Sequence, residues 1–275
     1  MQIVLKGANF GKNNVGHTPI DVEYEKETQT VIKALTSVLT DEDKAKLDIL
    51  IFSLKKADLW DKIKVLLLPS LFHSIQDAYL NVKTGIRMEI TNGEKIIFTD
   101  GKGLNFGSYT IGDIIPSLLY TGDGIKTDNC HIGFYNTEPE DNDTLKSRFM
   151  LNVSDDLKMG RRCVEGGLVG TFMVGSSRLN FDPNTTYSTG LVCGSFNKET
   201  LSHIVINNGI VSTKEVEQPI NGREVQKIDF GYGNTISESG VFYPTNSQIG
   251  FYTIGYSMTS EELIALDAII EELMN

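Results

Sequence analysis

The stretch from residue 70 to residue 258 carries many short strand-like runs and no long helical pattern, and it limits the fold more than any other feature. Runs of β-branched and aromatic residues recur between Gly, Asn and Asp. Because no helices alternate with these runs, a parallel sheet of βαβ units is disfavoured. The stretch therefore predicts an antiparallel jelly-roll β-sandwich. The predicted strands are residues 86–90, 95–99, 131–135, 148–153, 168–174, 191–196, 203–206, 210–216 and 250–254.

Asn208 and Gly209 provide the strongest turn signal in the chain. They separate the apolar runs HIVI and IVST. An Asn-Gly pair readily takes the two positive φ angles of a type I′ turn, which matches the twist of a two-stranded ribbon. This dipeptide predicts a β-hairpin.

A capped amphipathic helix is predicted on each side of the strand-rich stretch. Thr40 and Asp43 resemble a capping box with Asp in place of Glu, and Thr259 and Glu262 form a capping box in the strict sense. Apolar stripes follow both caps: Leu47, Leu50, Ile51 and Leu54 in the first helix, and Leu263, Leu266, Ile270 and Leu273 in the second. Each stripe has to be buried, so we expect the two helices to pack near one another against one edge or face of the sandwich.

The helical regions are predicted at about residues 40–68 and 259–274. A second helical turn or short helix is expected from Asp58 through Leu67 within the first region, and Pro69 ends it. Trp60 and Pro69 would then anchor the start of the first strand. Residues 1–38 are predicted to be an N-terminal arm or attachment segment, with a first strand that feeds the main domain as the alternative, and residues 39–275 form the sandwich domain.

Charge, hydropathy and cysteine usage exclude several classes of protein. Thirty-six acidic against 25 basic residues give a net charge of −11, which disfavours a nucleic-acid-binding surface. No apolar run is long enough to span a bilayer, and the N-terminus has no extended apolar core of a signal peptide. The three cysteines form no C-x-x-C pair, so buried thiols and a cytosolic folding compartment are expected.

Catalytic patterns are absent from the sequence. It contains no H-E-x-x-H and no G-x-S-x-G motif, and no complete Walker A motif. The β-sandwich glucanases need the carboxylates of Glu-x-Asp-x-x-Glu, but around Asp229 this chain has Lys227 and Tyr232 in place of the two glutamates. The sequence therefore predicts a protein that is not an enzyme.

Binding residues are predicted mainly in turns and at strand ends. Exposed aromatic rings can stack on sugars, and the candidates are Tyr187, Phe196, Tyr232, Tyr243 and Tyr252, with a place in the core as the alternative for each. Two groups of acidic residues could hold Ca²⁺, with solvated loops as the alternative. They are Asp141 with Asp143, and Asp155 with Asp156.

Three segments resemble a family of bacteriophage and prophage virion proteins. Residues 39–47 (LTDEDKAKL) and 54–62 (LKKADLWDK) resemble its "LT…EKxxL…LVxxLKxxGIWDKxKxxYP" opening, although Asp58 and Leu59 replace Gly-Ile. Residues 251–255 (FYTIG) and 258–263 (MTSEEL) are similar to its "FxSIGxxLTxxExxxLYxxVxxF" ending. Residues 190–195 (GLVCGS) and 203–209 (HIVINNG) resemble its "GFFIGSR…LYKNG" hairpin.

The resemblance implies a concanavalin A-like (laminin-G-like) jelly-roll domain in a structural component of the virion, folded in the bacterial host cytoplasm. It implies a head- or tail-fibre protein that attaches to other virion proteins through its N-terminal arm and self-associates as a trimer. The family implies no catalytic residues. The alternatives are a carbohydrate-binding adhesin for host-surface glycans and, more weakly, a glycan-degrading β-sandwich enzyme.

Overall fold

A computed structural model gives the fold of the chain. It describes residues 23–91, 93, 96–105, 109–110, 117–119, 124–138, 148–153, 157–164, 167–174, 177–181, 189–216, 222–225, 227–230, 241–242 and 248–275. The helices of these residues are α1 (Lys26–Ala34), α2 (Asp41–Lys56), α3 (Ile75–Ala78) and α4 (Ser260–Met274), with a short 3-10 turn at Trp60–Lys62. The strands are β1 (Ile63–Leu67), β2 (Leu80–Asn81), β3 (Ile86–Arg87), β4 (Ile90–Thr91), β5 (Ile97–Thr99), β6 (Gly103–Asn105), β7 (Tyr109–Thr110), β8 (Ser117–Leu119), β9 (Asn129–Asn136), β10 (Arg148–Val153), β11 (Leu157–Val164), β12 (Gly167–Val174), β13 (Ser177–Phe181), β14 (Gly190–Asn197), β15 (Ser202–Asn207), β16 (Ile210–Glu215), β17 (Lys227–Phe230), β18 (Val241–Phe242) and β19 (Ile249–Gly255).

Two antiparallel sheets form the body of the protein. The helix-side sheet has the order β16-β15-β14-β9-β19-β6-β5, and β1 also pairs with β19. The outer sheet has the order β13-β12-β11-β10-β17-β8-β4. Two short pairs, β2 with β3 and β7 with β18, complete the described strands. The predicted mainly β fold with antiparallel sheets and flanking helices is confirmed, and the jelly-roll connection stays a prediction.

One hydrophobic core lies between the two sheets. Phe134 and Phe196 of the helix-side sheet belong to the same buried cluster as Met159 and Phe172 of the outer sheet. The sheets approach closely at Gly194, where a Cβ atom would lie only 2.6 Å from the Met159 Cε. Any side chain at this position would push the sheets apart.

A second core lies between the helix-side sheet and the helices. The apolar stripes of α2 and α4, represented by Leu47 and Leu266, share a buried cluster with Tyr135, Cys193 and Phe251 of the sheet. The expected packing of the two helices near one another, against one face of the sandwich, is therefore confirmed. Because the central strands are buried on both faces, their sequences read as nearly continuous apolar runs.

Both predicted helix caps are present. The Thr40 hydroxyl accepts a hydrogen bond from the Asp43 amide at 3.1 Å, and the Asp43 side chain binds back to Thr40. Thr259 and Glu262 make the equivalent reciprocal pair at the start of α4. The Asn208-Gly209 hairpin is also present, with φ angles of 45° and 77° between β15 and β16.

Of the helical turn or short helix predicted from Asp58 through Leu67, only one turn is present, and the residues from Ile63 form a strand. Asp58 has a φ of 58°, which ends the helical course of α2, and a single 3-10 turn containing Trp60 follows. The chain then enters β1, which pairs with β19 from Ile63↔Gly255 to Leu67↔Tyr252. Pairing with a distant strand overrides the local helical pattern, since a short apolar run fits either structure.

The described part of the predicted N-terminal segment, residues 23–38, contacts the rest of the domain. Val31 of α1 is fully buried in the helix-side core, and the Thr28 hydroxyl donates to Asp48 of α2 at 2.7 Å. Lys55 of α2 pairs with Glu25 and Glu27 at 2.8 and 2.5 Å. Residues 1–22 lie outside the described residues, so an attachment role for the N-terminus remains a prediction.

Asp267 is a destabilising group on the buried face of α4. Its side chain is 9% exposed, and its Oδ1 atom has no hydrogen-bond partner among the described residues. Burial, with a smaller contribution from Glu271 one turn later, raises the pKa of Asp267 to about 6. The folded protein therefore bears a cost for the ionised carboxylate above this pKa, and the cost disappears as the pH falls toward 3.8.

We expect Asp267→Asn to raise the free energy of unfolding by about 1–3 kcal/mol at pH 8 and by little at pH 4. Urea denaturation at both pH values measures the effect. Glu272→Gln is the matched control, because Glu272 is exposed on the same helix. Equal gains at both pH values would show that the charge is not the cause.

Candidate ligand-binding cleft

Three neighbouring strands of the helix-side sheet begin or end at the same place. Asn136, the last residue of β9, pairs with Gly190 at the start of β14 and with Ile249 at the start of β19. We call this edge of the sheet the loop end, because the chain leaves or re-enters the sheet here at all three strands. The loop end is where side chains from distant parts of the sequence come together.

A cleft of about 430 Å³ lies at the loop end, between the sheet and the tips of the two long helices. The first turns of α2 and the last residues of α4 form one side, and the turn between β5 and β6 forms another. Residues that follow β9 and precede β14 complete it. Its polar lining comprises Asp43, Lys46, Ser70, His73, Lys102, Tyr135, Thr137, Glu138, Thr189 and Asn275.

The positive groups that line the cleft are matched by acidic partners. Lys102 pairs with Glu138 inside the cleft, and Lys46 pairs with Glu42 one helical turn away at 3.3 Å. The cleft therefore presents both donors and acceptors, with no excess of positive charge from these lysines. This composition suits a neutral ligand rich in hydroxyl groups, which bonds to donors and acceptors alike.

Hydroxyl groups of the wall are held in place by backbone oxygens. Thr137 donates to the Lys102 carbonyl at 2.5 Å, which ties the turn between β5 and β6 to the end of β9. Ser70 donates to the Gly250 carbonyl at 3.0 Å. Tyr135 donates to Glu271 at 3.2 Å, and burial together with Glu271 raises the pKa of Tyr135 to about 12. These hydroxyls keep their acceptor lone pairs and have fixed orientations.

His73 joins two walls of the cleft. Its Nδ1 atom lies 2.8 Å from the Asp100 Oδ1 atom, and its Nε2 atom lies 3.1 Å from the Asp43 Oδ2 atom. The bonds from Asp100 and Asp43 raise the pKa of His73 above 6.5. The two carboxylates approach different ring nitrogens, so they do not converge on a single point as the ligands of one metal ion would.

The described residues provide hydrogen bonding and no assembled catalytic pair. The hydroxyl of Ser70 is bonded to a backbone carbonyl, and both nitrogens of His73 are engaged by carboxylates. Among the described side chains, no group of three or more His, Cys, Asp or Glu residues is placed to hold a metal ion. What this arrangement can do chemically is bind and orient a polar ligand.

Two of the predicted aromatic candidates are buried in the sandwich core. Phe196 is fully buried and meets the His203 ring edge-on at 4.7 Å between centroids, and Tyr252 is only 2% exposed. Neither ring can stack on a sugar at the surface, which corrects both predictions. Apolar burial on both faces of the helix-side sheet explains their position.

The other predicted binding residues lie outside the described residues. They are Tyr187, Tyr232 and Tyr243, and the acidic candidates Asp141, Asp143, Asp155 and Asp156. Trp60 is 7% exposed in the helix-side core, immediately before β1, and the Lys83 ammonium lies 4.2 Å from its ring centroid.

Reasoning from the sequence missed the residues that line the cleft. His73, Lys102, Glu138 and Thr189 belong to no motif and are widely separated along the chain. Lys102, Glu138 and Thr189 lie within a few residues of predicted strand ends, where binding residues concentrate, and this position is the signal that could have found them. His73 carries no such signal. Among the described residues, no helix is long and apolar enough to cross a membrane.

Comparisons with known proteins show the fold alone. No protein-family model and no curated protein sequence matches the chain, so the virion family that its motifs resemble is not supported by either search. The chain is similar to the botulinum neurotoxin type G receptor binding domain, with a TM-score of 0.53 and 14% identity, covering 76% of this chain and 51% of that one. It is similar to the binding domain of Paraclostridial Mosquitocidal Protein 1, with a TM-score of 0.53 and 12% identity over 75% of this chain and 52% of that one.

A third similar structure is the binding domain of botulinum neurotoxin DC in complex with SialylT. The TM-score is 0.50 and the identity 12%, over 78% of this chain and 52% of that one. The chain thus spans about half the length of the solved structures that it matches.

Proposed function

We propose that the chain is a non-enzymatic binding module that attaches to glycans of a host surface through its loop end. The polar cleft carries the proposal, because its fixed hydroxyls and paired charges suit a ligand rich in hydroxyl groups. The likeness of the fold to toxin domains that are described as receptor binding supports it, as does the similar domain in complex with SialylT.

The cleft would form the base of the site, and the predicted aromatic and acidic residues would extend it. Tyr187 precedes β14 and Tyr243 precedes β19 by a few residues, and both strands begin at the loop end. Asp141 and Asp143 follow β9, which ends there. We propose that these tyrosines, together with Tyr232, stack on sugar rings, and that calcium held by the acidic residues assists binding.

We expect the purified protein to bind selected glycans on an array, and Thr189→Trp to weaken that binding at least tenfold, since a lost set of ligand hydrogen bonds costs about 1–3 kcal/mol. Thr189 is exposed at the rim of the cleft, so an indole at this position would fill the space that a sugar needs. Calorimetry with the best glycan, with and without calcium, measures the affinity.

Thr200→Trp is the matched control. Thr200 is also exposed, but it follows the far end of β14, whereas Thr189 precedes its start. Equal effects of the two substitutions, or an array that stays blank with and without calcium, would contradict the proposal. Release of reducing ends from a polysaccharide would favour the glycan-degrading alternative instead.

A virion role is the second candidate, and the motif resemblance favours it. In this case the binding module would be carried on a phage particle, attached through the N-terminal segment and assembled as a trimer. The capped helices and the hairpin on which the resemblance depends are present in the fold. Light scattering of the full chain and its detection in purified particles test this role, and a strict monomer that never joins particles would contradict it.

A further inference from the structure

We infer that His73, when both ring nitrogens carry a proton, is a positioning residue that holds the cleft closed, so that ligand binding weakens when the ring loses one of these protons. The inference deepens the proposed function, on which its ligand-binding part rests. It states that ligand binding at the proposed glycan site depends on pH.

The geometry requires two protons on the ring. A neutral imidazole has one N–H and one lone pair, so it can donate to only one carboxylate. His73 has a carboxylate within hydrogen-bond distance of each nitrogen, Asp100 at 2.8 Å and Asp43 at 3.1 Å. Loss of one proton would leave a nitrogen lone pair directed at a carboxylate oxygen, and that contact would become repulsive.

The carboxylates belong to separate walls of the cleft. Asp43 lies in the first turn of α2, where its Oδ2 atom also completes the helix cap with Thr40. Asp100 lies in the turn between β5 and β6, next to Gly101 and Lys102, which line the cleft. The His73 ring is therefore a strap that holds this turn against the start of α2.

The other charged groups around the cleft are engaged elsewhere. From α2, Lys46 pairs with Glu42, and from the turn, Lys102 pairs with Glu138, which follows β9. From α4, Glu271 accepts a hydrogen bond from Tyr135. The ring is thus left with Asp43 and Asp100 as its direct partners, and the bonds to these two residues hold the pKa of His73 above its ordinary value.

Deprotonation has a defined structural consequence. The strap would keep one bond and lose the other, so the turn would separate from α2 while its bond from Thr137 to the Lys102 carbonyl remains. The cleft would widen on the side of Lys102, which forms the charge pair with Glu138 inside the cleft. Because His73 joins the two walls, the affinity of the cleft for its ligand would depend on the protonation of this one ring.

Two substitutions separate charge from shape. His73→Gln cannot become a cation, and we expect it to leave the cleft open at every pH. His73→Arg stays protonated and has donors for both carboxylates, and we expect it to keep the cleft closed. Asp100→Asn removes one partner, which should return the ring titration of His73 toward 6.5.

The test measures three quantities between pH 5.5 and 8.5. NMR titration of the His73 ring should give a midpoint above 6.5, and amide hydrogen exchange of residues 100–102 should accelerate through that midpoint. Affinity for the glycan chosen from the array should fall about three- to tenfold across this range in the unchanged protein. In His73→Arg it should change less than twofold, and in His73→Gln it should be weak throughout.

Each measurement tests a separate part of the inference. A ring midpoint at or below 6.5, or exchange at residues 100–102 that does not change with pH, would overturn the strap. Glycan binding with a flat pH profile in the unchanged protein would overturn the control while the proposed function stands. If no glycan binds at any pH, the proposed function fails, and the ring titration and the exchange alone judge the strap.

Discussion

Replacement of Asp77 by Ala is expected to lower the free energy of unfolding by about 3–5 kcal/mol, because it removes the centre of a buried charged network. Asp77 is fully buried at the start of the short helix α3. Its carboxylate accepts bonds from the amide of Thr36 at 2.9 Å and from the amide and hydroxyl of Ser37 at 2.8 and 2.7 Å. Arg87 of β3 supplies a charged bond at 2.5 Å.

The network joins three segments of the chain. The linker between α1 and α2, the helix α3 and the strand β3 all meet at this one carboxylate. Burial alone would raise the pKa of Asp77, but the bonds from Ser37, Thr36 and Arg87 hold it well below its ordinary value. The stability that Asp77 provides is therefore fully present above pH 3.8 and is lost as the pH falls through the lower pKa of the folded protein.

Urea denaturation at pH 7 measures the effect, and two variants control it. Asp77→Asn keeps the size and loses the charge, so we expect a smaller but still substantial loss. Asp61→Asn removes a carboxylate whose side chain is 99% exposed and 3.5 Å from Lys83, and we expect almost no change. A loss below about 1 kcal/mol for Asp77→Ala would mean that the buried network contributes little beyond its own desolvation cost.

Local signals in the sequence predicted the elements that local interactions form. The caps at Thr40 and Thr259 and the turn at Asn208 involve residues within three positions of one another. A short stretch of sequence therefore contains all the residues that form each of them. The stripes of α2 and α4 also predicted which faces would be buried.

Elements and sites built from distant residues could not be predicted in this way. The strand β1 reads as helical because its partner β19 is far along the chain. The donors to Asp77 come from residues 36, 37 and 87, and the partners of His73 from residues 43 and 100. Nothing in their spacing marks them, since only the completed packing of the helices on the sheet brings them together.

His203, like Asp267, is a buried titratable group that destabilises the folded protein. Its ring is fully buried between Phe196 and Phe172, at centroid distances of 4.7 and 5.4 Å. Neither ring nitrogen has a hydrogen-bond partner among the described residues. Burial, with a smaller effect of Lys214 on the neighbouring strand, lowers the pKa of His203 to about 4.

His131 is equally buried but has partners for both nitrogens. Its Nδ1 atom donates to the Tyr256 carbonyl at 2.6 Å, and its Nε2 atom accepts from the Thr253 hydroxyl at 3.0 Å. Burial again lowers the pKa to about 4. Because the unfolded chain takes up these protons near pH 6.5 and the folded protein does not, each histidine costs about 1.4 kcal/mol of stability per pH unit as the pH falls from 6.5 to 4.

We expect His203→Phe to raise the free energy of unfolding by about 1–3 kcal/mol at pH 7, since it replaces two unpaired buried nitrogens with carbon between two aromatic rings. The gain should grow by about 3 kcal/mol as the pH falls to 4, because the variant no longer has the loss of stability that His203 causes at low pH. His131→Phe removes the same loss of stability at low pH but also loses two hydrogen bonds, so it should be less stable than the unchanged protein at pH 7.

Denaturation curves of the three proteins from pH 4 to pH 8 separate the contribution of protonation from that of the hydrogen bonds. If the phenyl ring does not fit, His203→Leu still reports the change in pH slope, and an unaltered slope in both variants would show that His203 is not a buried neutral base.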